Sequence, residues 1–378
     1  MPIVSERSAA AGAAVTEIDV LVAGAGVVGL ATAVALAQAG RSVCVIETRP
    51  KAGMESSTHN SGVIHAGLYY PPGTLKARLS VQGREALYAF CEQHGVPHLR
   101  CGKLVVATSA AQLRELEALA SIARGNGADV DVIDAARTRA LEPHIAAAAA
   151  LWSPGTGLVD ASALVAALAR LLHEAGGVLL TATRLMAVEA TAEAMVAATE
   201  RETIRTACLV NAAGLHADDV SAMAGGETFR IWPCRGDYAE ILRSAGTVVS
   251  RPVYPLPDPS GHGLGVHFTP TIGGATLLGP TVRYQDSKAD YESNRAPLEY
   301  FAESARLLAP DLDGEFLRPG GSGIRAKLHP PEERFADFMI RRDAQQPRLV
   351  HAAGIDSPGL TSCLAIGRMT AALASETL

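Results

Sequence analysis

Val20-Leu21-Val22-Ala23-Gly24-Ala25-Gly26-Val27-Val28-Gly29-Leu30 decides the fold. The first apolar residues read as a buried strand, the glycines as a tight turn, and the residues beyond Gly26 as the start of a helix with Val28 in its first turn. Gly24, Gly26 and Gly29 fit the spacing G-x-G-x-x-G. Missing side chains there allow, in order, the turn itself, close approach of a pyrophosphate, and close packing of helix on strand. The N–H groups and dipole at such a helix start favour phosphate. Thr32 to Gln38 continues the helix, Ala39-Gly40 ends it, and Ser42 to Ile46 reads as a second strand. Glu47 stands at its end, roughly 20 residues past Gly29, where an acid holds ribose hydroxyls and favours FAD or NAD over NADP. The glycine spacing alone is a weak signal. Strand, helix, strand and terminal acid in register point to nucleotide binding.

The 378 residues suffice for one large or two ordinary domains, and a 48% hydrophobic content predicts a globular chain. A formal charge of −6 argues against nucleic acid as a partner. No unbroken apolar run is long enough to span a bilayer. Residues 1–16, rich in alanine and glycine, read as a flexible tail without the basic start or apolar core of a signal peptide. The six cysteines form no C-x-x-C pair, so reduced thiols in a cytoplasmic protein are expected, with no metal-ligand spacing. Membrane contact, if any, would be peripheral, and no amphipathic signature marks it.

After Glu47 and a polar loop comes Ser57-Thr58-His59-Asn60-Ser61-Gly62-Val63-Ile64-His65-Ala66-Gly67-Leu68-Tyr69-Tyr70. Neither a helical nor a strand period holds in it, and its small residues suit a backbone passing close to a ligand. Leu75 to His94 predicts a long helix, and Asp160 caps another from about Ala161 to Ala175. Cys208 to Gly214 is a second apolar strand ending in glycine. Leu349 to Gly354 is a third, followed by a turn, Ile355 to Thr361, onto a last helix. Tyr291 to Leu308 reads as mostly helix, and the proline-rich run Pro252 to Pro259 as loops and irregular strands. The fold class is therefore α/β: a Rossmann-type nucleotide domain (17–95, 150–225 and 320–378) with an inserted sheet-rich α+β substrate domain (96–149 and 226–319). Candidate cofactor contacts are Gly24, Gly26, Val28, Gly29, Glu47, Thr58, Asn60, Ser61, Gly62, Gly214, Gly323, Gly354, Pro358, Gly359, Leu360 and Thr361.

Several stretches carry a resemblance. They are Thr58 to Tyr70, Leu75-Lys76-Ala77-Arg78-Leu79, Val81-Gln82-Gly83, Cys101-Gly102-Lys103-Leu104, Pro233-Cys234-Arg235-Gly236-Asp237-Tyr238, Gly265 to Pro270 and Gly323-Ile324-Arg325-Ala326. Together they resemble the FAD-dependent D-amino-acid-oxidase (DAO) superfamily and, within it, the L-2-hydroxyglutarate dehydrogenase/oxidase family. The run His59 to His65 is its most specific part. Ser57-Thr58 departs from the family's frequent Thr-Gly, and the stretch from Tyr284 to Gly320 is shorter. These departures leave the substrate more open than the flavin. The resemblance implies a DAO-like flavoprotein, FAD as cofactor, and oxidation of a 2-hydroxy acid, L-2-hydroxyglutarate first, by hydride transfer to flavin. Oxygen or a quinone would accept the electrons.

Under that resemblance His65 is the first candidate for the base that takes the hydroxyl proton, and His59 the second; imidazole titrates near neutrality. Either could instead only bond backbone or flavin. Arg325, then Arg235, are candidates to hold substrate carboxylate through a bidentate pair, and each could instead be a structural ion-pair arginine. His267 is a substrate ligand or a satisfied strand histidine. Tyr254 is a further polar contact, as are Tyr69 and Tyr238. Two other functions stay open: an amine or amino-acid oxidase of glycine- or sarcosine-oxidase type, and a non-catalytic nucleotide-binding module.

Overall fold

The computed structural model describes residues 15–191, 193–257 and 264–378. Most of the expected tail and Pro259 therefore lie outside the described residues, and Val15 and Thr16 already belong to the first strand. That strand, Val15–Ala23, pairs in parallel with Thr203–Asn211 on one side and Val43–Ile46 on the other. Val178–Leu180 extends the sheet beyond Val43–Ile46. At the other side Thr203–Asn211 divides its edge: its first half pairs with Met195–Thr199 and its last residues with Leu349–Ala353. Val20 to Val22 are wholly buried, because a parallel strand is covered on both faces. That is why they read as an unbroken apolar run rather than an alternation.

The helix Val27–Gln38 lies against the final helix, Gly359–Ser375, which also packs on Leu75–His94. Leu30, Leu36, Val45, Leu87, Leu168, Val210 and Ile366 meet in the core between these helices and the sheet. Local chemistry sets the helix ends. Thr74 Oγ1 accepts the Ala77 N–H, Asp160 Oδ1 accepts those of Ser162 and Ala163, and Gly95 closes its helix at φ +68°.

A second, nine-stranded sheet contains Lys103–Ala107, Ala149–Ser153, Trp232–Ile241, His267–Pro270 and Leu317–Lys327. Its outline differs from the expected boundaries at 150 and 320: both Ala149–Ser153 and the whole of Leu317–Lys327 pair within this sheet. The expectation of helix from Tyr291 to Leu308 also needs correction. Only Leu298–Arg306 is helical. Asp290 accepts the N–H groups of Glu292 and Ser293, Asn294 takes φ +52°, and Pro297 precedes the helix. Side-chain bonds to the backbone hold that segment out of the helix.

All six cysteines are free. Buried His351 donates from Nε2 to Asp343 Oδ2 at 2.7 Å and accepts at Nδ1 from Asn211 Nδ2 at 3.2 Å. This clamp ties Asn211, at the end of its strand, and His351, in the middle of its own, to Asp343.

Candidate active site

Three backbones meet at the glycine turn. Gly24 takes φ +104°, and its N–H donates to Ile46 O at 2.9 Å. A Cβ at Gly24 would lie 2.5 Å from Ala212 O, and one at Gly29 2.0 Å from Gly24 O. Gly26 is different: its Cβ would meet Ser57 Oγ at 2.9 Å, and that hydroxyl accepts the Val27 N–H at 3.0 Å. Glu47 Oε2 accepts the Ala25 N–H at 2.9 Å, and Oε1 that of Arg49 at 2.8 Å. The acid at the end of the second strand thus holds the turn in place.

From this turn a cavity of about 1110 Å³ runs on past the loop 56–63 to the second sheet. That volume exceeds most small-molecule pockets. Gly24, Gly26, Val28, Glu47, Asn60, Ser61, Gly62, Gly214, Gly323, Pro358, Gly359 and Leu360 line it. Four other candidates stand behind the wall. Gly29 packs under the turn, and Gly354 turns at φ +66° against Leu328. The Thr58 hydroxyl donates to Gly53 O at 2.7 Å, and Thr361 Oγ1 accepts the His65 N–H at 2.8 Å. Their place is to shape the loops. Asn60 braces its own loop, donating to Ser56 O and Ser57 O and accepting the Gly62 N–H.

His65 follows the two-residue strand Val63–Ile64 and is tied to the final helix through Thr361. Its Nε2 lies 3.2 Å from Ser357 Oγ in the cavity wall, and its buried Nδ1 has no hydrogen-bond partner among the described residues. Nε2 is therefore the nitrogen a ligand can meet. Burial first, and then the charge of Lys103, push the imidazole down to about 3, so it stands neutral. Lys103 is itself fully buried, with its ammonium 3.9 Å over the Tyr254 ring and 4.5 Å over that of Tyr69; burial brings it down to about 7. Tyr254 stacks on His267 at 3.5 Å. His267 donates from Nδ1 to Gly265 O at 2.7 Å, leaving Nε2 as an acceptor, and burial holds the ring neutral. His59 is exposed at the cavity edge, with Nδ1 committed to Glu55 O at 3.0 Å.

The two arginines separate cleanly. Arg325 lines the cavity, donates only to Thr281 O and weakly to Cys234 Sγ, and has no carboxylate within 4 Å among the described residues. Arg235 corrects the expectation. It is wholly buried and away from the cavity, 3.0 Å from Asp237 and 3.6 Å from Asp290, and it donates to Ser293 O and Asn294 O. Residues 235 and 237 share one face of their strand, and that face looks inward. Arg235→Ala would strand the Asp237 carboxylate, and removing one partner of a buried pair costs about 3–5 kcal/mol. Chemical denaturation should show that loss; an unchanged midpoint would return Arg235 to the substrate list.

Lys76, Asp356, Lys327 and Ser357 also line the cavity, and sequence reasoning passed over them. Strand alternation around Arg325 was the available signal for Lys327. Nothing local marks Lys103, whose surroundings come from 69 and 254.

Residues 19–373 match the family model described as DAO, FAD dependent oxidoreductase. The chain belongs to the FAD-dependent oxidoreductase family. Within it, the chain groups with the L-2-hydroxyglutarate dehydrogenases: it is 33% identical to the mitochondrial L-2-hydroxyglutarate dehydrogenase of Arabidopsis thaliana, over 92% of this chain and 82% of that one. The dithionite-reduced, FAD-bound L-α-glycerophosphate oxidase of Mycoplasma pneumoniae superposes with a TM-score of 0.87 at 26% identity, covering 95% of both chains. Glycine oxidase from Geobacillus kaustophilus has a TM-score of 0.83 at 23% identity, over 96% and 95%, and shares the fold.

FAD is the cofactor of this oxidoreductase, and the residues present fit it. Gly24 and Gly26 line the cavity without side chains, Gly29 lets the helix pack close under the turn, the first helix opens on the cavity through Gly26 to Val28, and Glu47 lines it at the end of the second strand, where an acid would meet a ribose. Ala212 to Gly214 and Ser357 to Leu360 supply the remaining close backbone. Among the described residues no helix is long and apolar enough to cross a membrane.

Proposed function

We propose that the enzyme oxidises L-2-hydroxyglutarate to the 2-oxo acid. The observation that carries this reading is that the imidazole of His65, held neutral by burial, and Arg325, with no carboxylate within 4 Å among the described residues, lie on the wall of one cavity. Bound flavin supplies the two-electron acceptor that takes the hydride. Arg325 holds the carboxylate beside the reacting carbon through its planar fork. His65 Nε2 takes the hydroxyl proton, replacing its bond to Ser357 Oγ. His267 Nε2 and the Tyr254 ring wall the substrate in. Oxygen or a quinone receives the electrons afterwards, and peroxide formation distinguishes them.

Anaerobic mixing of the holoenzyme with L-2-hydroxyglutarate should bleach the flavin, while glycine and sarcosine should leave it yellow. Bleaching by the amines alone would overturn the reading. Arg325→Lys keeps the charge and loses the fork. A charge-assisted pair contributes about 1.5–3 kcal/mol, so substrate affinity should weaken roughly 10- to 150-fold with flavin retained. Unchanged affinity in Arg325→Ala would remove this residue from the site.

A further inference from the structure

Strand residues two apart share a face, with backbones about 6.4–6.8 Å from one another. On Leu317–Lys327, Ile324 and Ala326 pack into the small core around Leu215, Ala217 and Ile231. Arg325 and Lys327 take the opposite face, and both line the cavity. Two cationic side chains on one face of one strand therefore meet the same cavity, as a substrate with two carboxylates requires.

The charges around Lys327 are unbalanced. Asp356 is the carboxylate facing it, and Asp356 is already engaged by Lys76 at 2.6 Å; Lys327 stands 3.8 Å from its other oxygen. Two cations, Lys76 and Lys327, thus share one carboxylate, and Arg325, two residues before Lys327, lines the same cavity with no carboxylate within 4 Å among the described residues. Exposed Arg334, also in the lining, adds a further positive charge. Lys327 is also aimed. His329 lies 3.0 Å from Pro330 O through Nδ1, so with the proton there its Nε2 accepts from Lys327 Nζ at 3.3 Å. An ammonium held this way keeps donors free for a ligand.

We propose that Lys327 binds the distal carboxylate of the substrate and so makes the site select a five-carbon diacid over a monocarboxylic acid of the same length. This rests on the hydroxy-acid reading, with Arg325 on the proximal carboxylate. Removing Lys327 leaves the Lys76–Asp356 pair intact, so the fold and the flavin should survive in Lys327→Met.

Two readouts on the holoenzyme test it. The first is flavin reduction by L-2-hydroxyglutarate and by 2-hydroxypentanoate, which lacks the distal carboxylate. In wild type the diacid should be preferred at least tenfold in kcat/KM. Lys327→Met should cut the diacid value about 10- to 100-fold and change the monoacid value less than about twofold. The second readout needs no turnover: glutarate and pentanoate are titrated against the flavin spectrum and the unfolding temperature. Glutarate should bind more tightly to wild type, and Lys327→Met should erase the difference. Equal affinity of wild type for glutarate and pentanoate overturns the proposal, as does a variant that loses both ligands alike. Failure of every hydroxy acid to reduce the flavin, with the glutarate preference intact and dependent on Lys327, would instead overturn the hydroxy-acid reading and leave the diacid site standing.

Discussion

In His65→Asn, flavin reduction by L-2-hydroxyglutarate should slow by about 10²–10⁴-fold, the usual contribution of a positioned general base. Asparagine places a polar amide at the level of Nδ1, short of Ser357, and takes no proton. FAD content should match wild type, because the glycine turn and Glu47 lie elsewhere in the wall. The pH dependence is a second signature. A free imidazole, titrating near 6.5, would give a rate that falls below neutrality. Burial and Lys103 disfavour the charged ring and bring His65 down to about 3, so the base stays unprotonated as the pH falls. Wild-type reduction at saturating substrate should therefore hold level from about pH 8 to pH 5. The same shift acts on stability. Below about 6.5 the unfolded imidazole takes a proton that the folded one refuses, so stability declines as the pH falls from there towards 3. Stopped-flow reduction of His65→Asn and His59→Asn across pH decides the assignment. A fast His65→Asn with a slow His59→Asn reverses the roles, and two fast variants direct attention to His267.

What could be read in the sequence was chemistry that acts locally. Gly24, Gly29 and Glu47 have their functions within one strand–turn–helix–strand unit, so their spacing states the geometry. The loop from His59 to His65 betrayed itself by lacking any packing period. What stayed hidden depends on distant partners. Arg235 and Arg325 are both strand arginines within two residues of a glycine, and only the pairing of Trp232–Ile241 with Leu317–Lys327 sets which one faces Asp290 and which the cavity. Thr58 lies in the right loop and Thr361 in the first turn of the final helix, yet their hydroxyls turn to Gly53 O and the His65 N–H, behind the wall. Tyr291 to Leu308 has helical composition, but its first third supplies carbonyls to Arg235 and Arg283. Lys103 shows the limit most plainly. It opens an apolar strand, and no neighbour in sequence reveals that two tyrosines enclose its ammonium.

Gly29→Ala should yield protein without flavin. The added methyl would stand 2.0 Å from Gly24 O and 3.4 Å from Ala212 Cβ. The first contact is with backbone, so no side-chain rotation relieves it. Either the helix Val27–Gln38 lifts from the strand or the turn opens. Opening is opposed by Gly24, which holds φ +104° and donates to Ile46 O, and by Glu47, which holds the Ala25 N–H. Lifting the helix takes the N–H groups of its first turn away from the phosphates they would meet. Both routes dismantle the cradle, whereas substrate groups such as Arg325 lie on another sheet. Gly125→Ala is the matched control: the same methyl there finds nothing within 4 Å. It should be yellow, release FAD on heating in equal proportion to wild type, and unfold at a higher temperature when FAD is added to apoprotein. Gly29→Ala should release none and show no such shift. Full FAD occupancy in Gly29→Ala would mean that the contact between helix and turn is not what shapes the nucleotide site.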